Sequence, residues 1–191
     1  DHPDFSSYST SGLVTHESPF SVEDLVGMSQ NLDEMVVFLN GYTYQGHFKE
    51  PGLEGLVNTF KGFVSANKMF VLGNFDSFLE LKPYYLHELI SSFSESWESK
   101  EDLEWDIAWP KLLEFSHRLI TGDLFWNYPD EAPGGVFVGT TNWVVGTLCR
   151  LIEAGCKKDE RSFSLANVQM AKNVLEKILH FQVGEEFKLD S

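Results

Sequence analysis

Two thiols, Cys149 and Cys156, stand seven residues apart in the stretch NWVVGTLCRLIEAGCKKD (142–159). Such a pair could form a disulfide, hold a metal, or pack. Val145, Leu148, Cys149, Ile152 and Cys156 recur at helical spacing, flanked by Val144 and Leu151, and predict an amphipathic helix. On a helix the two cysteines stand about 10 Å apart, beyond the roughly 7 Å between Cα atoms that a disulfide tolerates. The close C-x-x-C type of spacing used by zinc sites is missing. Both cysteines are therefore expected to be reduced, buried packing residues. Gly155, Lys157 and Lys158 suit the negative pole of a helix end.

Other chemistry-bearing groups also lack their partners. Gly41 and Gly46 have the separation of a phosphate loop, but His47 and Phe48 occupy the positions where Lys and Ser or Thr must hold phosphate and magnesium. His87-Glu88 is followed by Leu-Ile-Ser, so the second histidine of a His-Glu-x-x-His zinc helix is absent. Ser116 and His117 are neighbours on a predicted helix and point about 100° apart, which does not make a nucleophile and base pair. Glu101, Asp102, Glu104 and Asp106 are dense but lack the Asp-x-Asp-x-Asp-Gly order of a calcium loop. No Gly-x-Ser-x-Gly elbow occurs. The sequence thus predicts no catalytic residue, no cofactor and no metal site.

The elements that would position any site are helical. Residues 1–20 are rich in Ser, Gly and Pro and predict an extended N-terminal segment, followed by a helical domain over 21–191. Ser21 to Asp24 reads as a capping box, and Ser29 is expected to cap a second helix bearing Leu32, Met35, Val36 and Leu39. Leu53, Leu56, Val57, Phe60, Phe63 and Val64 form the cleanest stripe. Residues 67–81 read as a short irregular helix in preference to a strand. Pro83 opens a helix with Leu86, Leu89, Ile90, Phe93 and Trp97 inward, and Pro110 is expected to open the next. Residues 98–106 read as a solvated acidic connection and 127–135 as a turn-rich loop. The last helix, about 164–181, is expected to bury Val168, Ala171, Leu175, Ile178 and Leu179. The resulting class is all-α, an irregular α-α superhelix of HEAT-like stacked helix pairs, with a closed helical bundle as the alternative.

Composition narrows the partners. The chain has 191 residues, 14 Lys+Arg against 29 Asp+Glu, and a formal net charge of -15. That field repels phosphate backbones and anionic lipid, which argues against nucleic acid and membrane surfaces. No run approaches the roughly 18 apolar residues of a membrane helix. Two cysteines do not make a disulfide framework. With Asp1 first and a polar start, we expect a segment of a longer cytoplasmic protein. Aromatics are in surplus, and Trp105, Trp109, Trp126 and Tyr128 cluster near predicted helix ends, where they staple loops or anchor a protein interface.

Residues 55–93, GLVNTFKGFVSANKMFVLGNFDSFLELKPYYLHELISSF, resemble a recurring helical segment of very large bacterial proteins, with Asn67, Phe78, Leu79, Leu81, Pro83 and Tyr85 matching its markers. Residues 109–120 and 142–179 resemble the segments that follow it, and 18–40 its opening. The turn departs from the pattern at Lys82, where the family carries a second proline. The resemblance is to a carboxy-terminal helical-repeat region, some of whose parents are STAND-type NTPases of anti-phage defence. It implies a recognition or scaffold array with the chemistry elsewhere in the parent, and no catalytic residue here. Two readings follow. One is a non-catalytic module that binds protein, marked by a groove lined with aromatics and carboxylates. The other is a small helical hydrolase or ligand-binding domain, marked by a deep pocket with convergent His, Asp and Glu.

Overall fold

A computed structural model describes residues 18–43, 52–129 and 138–189. Its helices are α1 (Val22–Met28), α2 (Leu32–Gly41), α3 (Leu53–Ala66), α4 (Lys68–Gly73), a 3-10 turn (Phe75–Phe78), α5 (Pro83–Glu98), α6 (Trp105–Thr121), α7 (Asp123–Trp126), α8 (Thr141–Cys156) and α9 (Leu165–Leu189). No strand occurs among the described residues, and the fold is all-α. Residues 1–17, 44–51, 130–137 and 190–191 fall outside the description, and with them most of the expected N-terminal segment, the Gly46 end of the glycine pair and most of the 127–135 loop.

The packing runs along two rows. In one, α1 lies on α3, α3 on α5, and α5 on α8; in the other, α2 meets the 3-10 turn, the turn and α4 meet α6, and α6 meets α9. One apolar core threads between the rows. The stripe read from 53–64 is buried at every position, because its i, i+3, i+4, i+7 spacing keeps all six side chains on one face. Pro83 stands at the first turn of α5, where its missing amide costs nothing. Residues 67–81 form α4 and the 3-10 turn; α3 and α4 are each closed by an asparagine whose side chain donates to a carbonyl one turn back: Asn67 to Phe63 and Asn74 to Phe70, both 2.8 Å.

Several boundaries differ from the sequence reading. Ser21 and Asp24 do form the capping box, but Ser29 ends α1, and Asn31, accepting from the Glu34 amide, begins α2. The acidic connection stops at Glu104, and α6 starts at Trp105, so Pro110 lies inside that helix. An interior proline costs about 3 kcal/mol. Burying two indoles of roughly 200 Å² each, at about 25 cal/mol/Å², returns about 10 kcal/mol, so carrying the helix back to Trp105 wins. α5 ends in a Schellman turn, with the Glu101 amide on the Ser96 carbonyl (2.9 Å), and Lys100 takes the left-handed position at φ 56° that glycine usually fills.

The centre of the buried face of α8 runs through Val144, Leu148, Leu151 and Gly155, which leaves both cysteines on its shoulder. Cys149 is half-buried and Cys156 is exposed, which corrects the expectation of two buried thiols. Burial pushes the Cys149 thiol above its ordinary pKa. Gly155 is helical; it is small because Phe163 and Trp109 press on it, where an added Cβ would lie 2.4 Å and 3.0 Å from their rings. The last helix buries Ala171, Val174 and Ile178 against α6, while Val168, Leu175 and Leu179 of the predicted face are exposed.

Two expectations follow. Pro110→Ala restores the amide that would reach the Asp106 carbonyl, and should raise stability by about 1–3 kcal/mol, seen as a melting temperature higher by several degrees; an unchanged or lower value would show that the proline sits in α6 without strain. In the native protein one thiol, Cys156, should label quickly and Cys149 slowly, which single-cysteine variants distinguish; equal rates would contradict their placement.

Candidate functional site

Trp97, at the end of α5, meets Trp105 and Trp109 from the start of α6, with ring centroids 5.1–5.4 Å apart in all three pairs. The connection from α8 to α9 closes over them. Arg161 lies 4.3 Å over the Trp97 ring and donates to the Trp97 carbonyl at 2.9 Å. Trp109 donates through Nε1 to the Arg161 carbonyl at 2.6 Å, and Phe163 stands edge-on to Trp109 at 5.5 Å. Asp159 fixes the guanidinium through two oxygens, at 3.0 and 2.9 Å, and that interaction holds its carboxyl down at about 2. Trp105 and Trp109 are thereby 4% and 1% exposed. As interface anchors they are corrected: both are core residues, because a stapled loop and a neighbouring helix consume their faces.

Trp126 and Tyr128 sit at the other end of α6. Trp126 is half-buried, donates through Nε1 to the Ile120 carbonyl at 2.7 Å, and stacks on Phe181 of α9 with centroids 4.5 Å apart. Tyr128 is half-buried over an apolar dimple of about 20 Å³ lined by Leu81, Pro83, Leu119 and Phe125. The four aromatic candidates are therefore not brought together into one patch. Trp126 joins α9 to α6, and only part of each of Trp126 and Tyr128 reaches solvent.

The groups that could do chemistry converge on the seam between α3, α5 and α8. His87 Nδ1 lies 2.9 Å from Glu88 Oε1, Glu88 Oε2 lies 3.4 Å from Lys61 Nζ, and Lys61 also pairs with Glu95. Burial alone would raise the Glu88 carboxyl; the hydrogen bond and charge of His87, with Lys61, outweigh it, so the net shift is downward. Ser91 Oγ stands 3.5 Å from His87 Nε2, at the outer limit of a hydrogen bond. The His87 ring is held by Trp143, edge-on at 5.4 Å, and by Gly139, where an added Cβ would come within 2.8 Å of its Cβ. Ser91 faces an open cleft of about 180 Å³ with Ser94, Thr147 and Arg150. The order Ser91, His87, Glu88 is that of a proton relay, and its i, i+4 signal was present in the sequence. The contacts serve another end, since both Glu88 oxygens are committed and Lys61 ties α3 to α5. Among the described residues no three His, Cys, Asp or Glu side chains converge as metal ligands.

What the molecule does present is apolar surface on α9. Leu165, Val168, Leu175 and Leu179 recur at helical spacing along one flank, with Leu165 92% and Leu179 61% exposed. This flank lies beside the Ala171, Val174 and Ile178 face that packs on α6, and Lys172 within it is paired with Glu176 at 3.4 Å. Sequence reading grouped the two faces into one broad stripe. No described helix is long and apolar enough to cross a membrane. No family model, curated protein or solved structure matches this chain.

The loop over the tryptophans generates a prediction. Gly155→Ala places a methyl group against Phe163 and the Trp109 ring, and should cost about 1–3 kcal/mol by overpacking, read as a lower melting temperature and a shift in tryptophan fluorescence. An unaffected melt would mean that the 157–163 connection is not held against Trp109.

Proposed function

We propose that this chain is a non-catalytic helical-repeat scaffold that recognises protein, and that the α9 flank is where a further helix docks. The observation that carries the reading is the exposed row of Leu165, Val168, Leu175 and Leu179. A solenoid buries each helix between its neighbours, so a helix with an apolar flank that no described helix covers has the form of an unfinished stack. The two-row order of packing supports the superhelix in preference to a closed bundle, since the most extensive contacts, α1 on α3, α3 on α5, α5 on α8 and α6 on α9, all run along a row. The docked helix belongs to another chain or to the rest of a longer parent. The sequence resemblance suggests the recognition region of a large bacterial protein, in some cases one of anti-phage defence.

The test is site-specific photo-crosslinking in the native host. A crosslinking amino acid at position 175 or 179 should give a discrete protein adduct, one at the exposed Lys158 should give none, and Leu175→Glu should abolish the adduct formed from position 179. Because Leu175 and Leu179 are exposed, the substitution should leave the melting temperature within a few degrees of the parent's. Stripe positions that crosslink no better than position 158 would remove the support for this surface.

A further inference from the structure

A second surface, formed by residues other than those of α9, lies between α4, the 3-10 turn and α6. There a groove of about 280 Å³ has Leu72, Phe75 and Phe115 as its floor, with the two phenyl rings stacked at 4.6 Å. Asn74, Ser77, Lys111 and Glu114 stand on its walls, and the Arg118–Asp76 ion pair lies beside one end. Toward the other end the α6 wall continues one turn from Lys111 to Ile107, which is exposed, and α4 offers exposed Met69 and Phe70. The groove exists because the second row is interrupted here: α4 has six residues and the 3-10 turn four, so neither covers the length of α6.

Beyond Ile107 lie the carboxylates of the α5–α6 connection and the first turn of α6. Glu101 is paired with Lys68, at 3.0 Å, whereas Asp102, Glu104 and Asp106 are exposed and make no ion pair among the described residues. These charges choose the occupant. A purely apolar helix would desolvate carboxylates with nothing to replace their water. A second copy of this chain would set one net charge of -15 against another. We propose that the groove binds a basic protein segment, whose apolar side chain enters over Phe75 and Phe115 beside Ile107 and Met69, and whose Lys or Arg side chains meet Asp102, Glu104 and Asp106. The segment arrives by electrostatic attraction and is held by the apolar anchor.

The proposal is tested on the full chain by fluorescence anisotropy, at about 0.15 M salt, with a labelled peptide of Lys, Arg and Leu and with its counterpart carrying Glu at every basic position. The basic peptide should bind with a Kd on the order of micromolar, and the acidic one should not bind. Glu104→Gln with Asp106→Asn should weaken binding about fivefold or more, and Ile107→Ser or Met69→Ser by a similar factor. Removing the same charge elsewhere, by Glu23→Gln with Asp33→Asn, should change it less than about twofold. Leu175→Ser with Leu179→Ser should leave it unchanged, which separates this surface from the α9 flank. Equal losses from the two charge-removing pairs, no effect at Ile107 and Met69, binding of the acidic peptide, or no binding of the basic one at about 1 mM would each overturn the proposal. Circular dichroism of each variant establishes that it is folded.

Discussion

Helix α5 is buried on three sides, and the positions of its neighbours follow from that. Tyr85, Leu89, Ile90 and Phe93 are wholly enclosed, with α3 on one side, α8 on the other, and Trp97 locked at its end by two indoles of α6. Such burial requires that the polar side chains of the helix be satisfied from within. Ser92 and Ser96 donate to the carbonyls of Glu88 and Ser92, each at 2.8 Å, and so keep their hydroxyls paired within the helix, while the Ser65 hydroxyl of α3 donates to Ser92 at 3.4 Å. Among the described residues the Tyr84 and Tyr85 hydroxyls find no partner, at a cost of about 1–3 kcal/mol each. Ring burial offsets it: Tyr85 packs edge-on to Phe60 at 5.3 Å and to Tyr84 at 4.8 Å. With α5 fixed, α3 and α8 must lie on its two flanks and the second row must pass across its Trp97 end.

The charges are distributed to the same plan. Several bases are committed within the structure: Lys61 to Glu88 and Glu95, Lys68 to Glu101, Arg118 to Asp76, Arg161 to Asp159, Lys172 to Glu176. With twice as many acids as bases, each such pair cancels one charge of each sign and leaves the net charge of -15 to unpaired carboxylates, among them the exposed Asp102, Glu104 and Asp106. Where such surface adjoins exposed Ile, Met or Leu, shape and charge select a partner together.

How far the sequence could be read depended on how one-sided each helix is. The 53–64 stripe was legible because all six apolar residues point one way and the opposite side is polar or small. α6 was not, because proline is a strong start signal, and only the tertiary contact of Trp105 and Trp109 with Trp97 decides that the helix passes through it. The four aromatic candidates were chosen by position near helix ends, which does not register that Arg161, 52 residues beyond Trp109, closes over them. In α9 the apolar residues span more than one face, and periodicity cannot say which face meets α6; Ala171 and Val174 win it through their small size and close approach. The groove depends on two short helical pieces failing to cover a long one, a relation between separate segments that no local pattern contains.

The two-row order also has a consequence for how the chain opens. Because α5 lies between α3 and α8, and also holds Trp105 and Trp109 of α6, its amides can exchange with solvent only when several helices separate at once. Among the described residues α1 and α9 are each held mainly from one side, so the rows can fray from both ends inward, and hydrogen-exchange protection should fall away from α5 in both directions along them. A helix laid on the exposed flank of α9 would hold that helix from a second side, and its exchange would slow far from any residue the new helix touches.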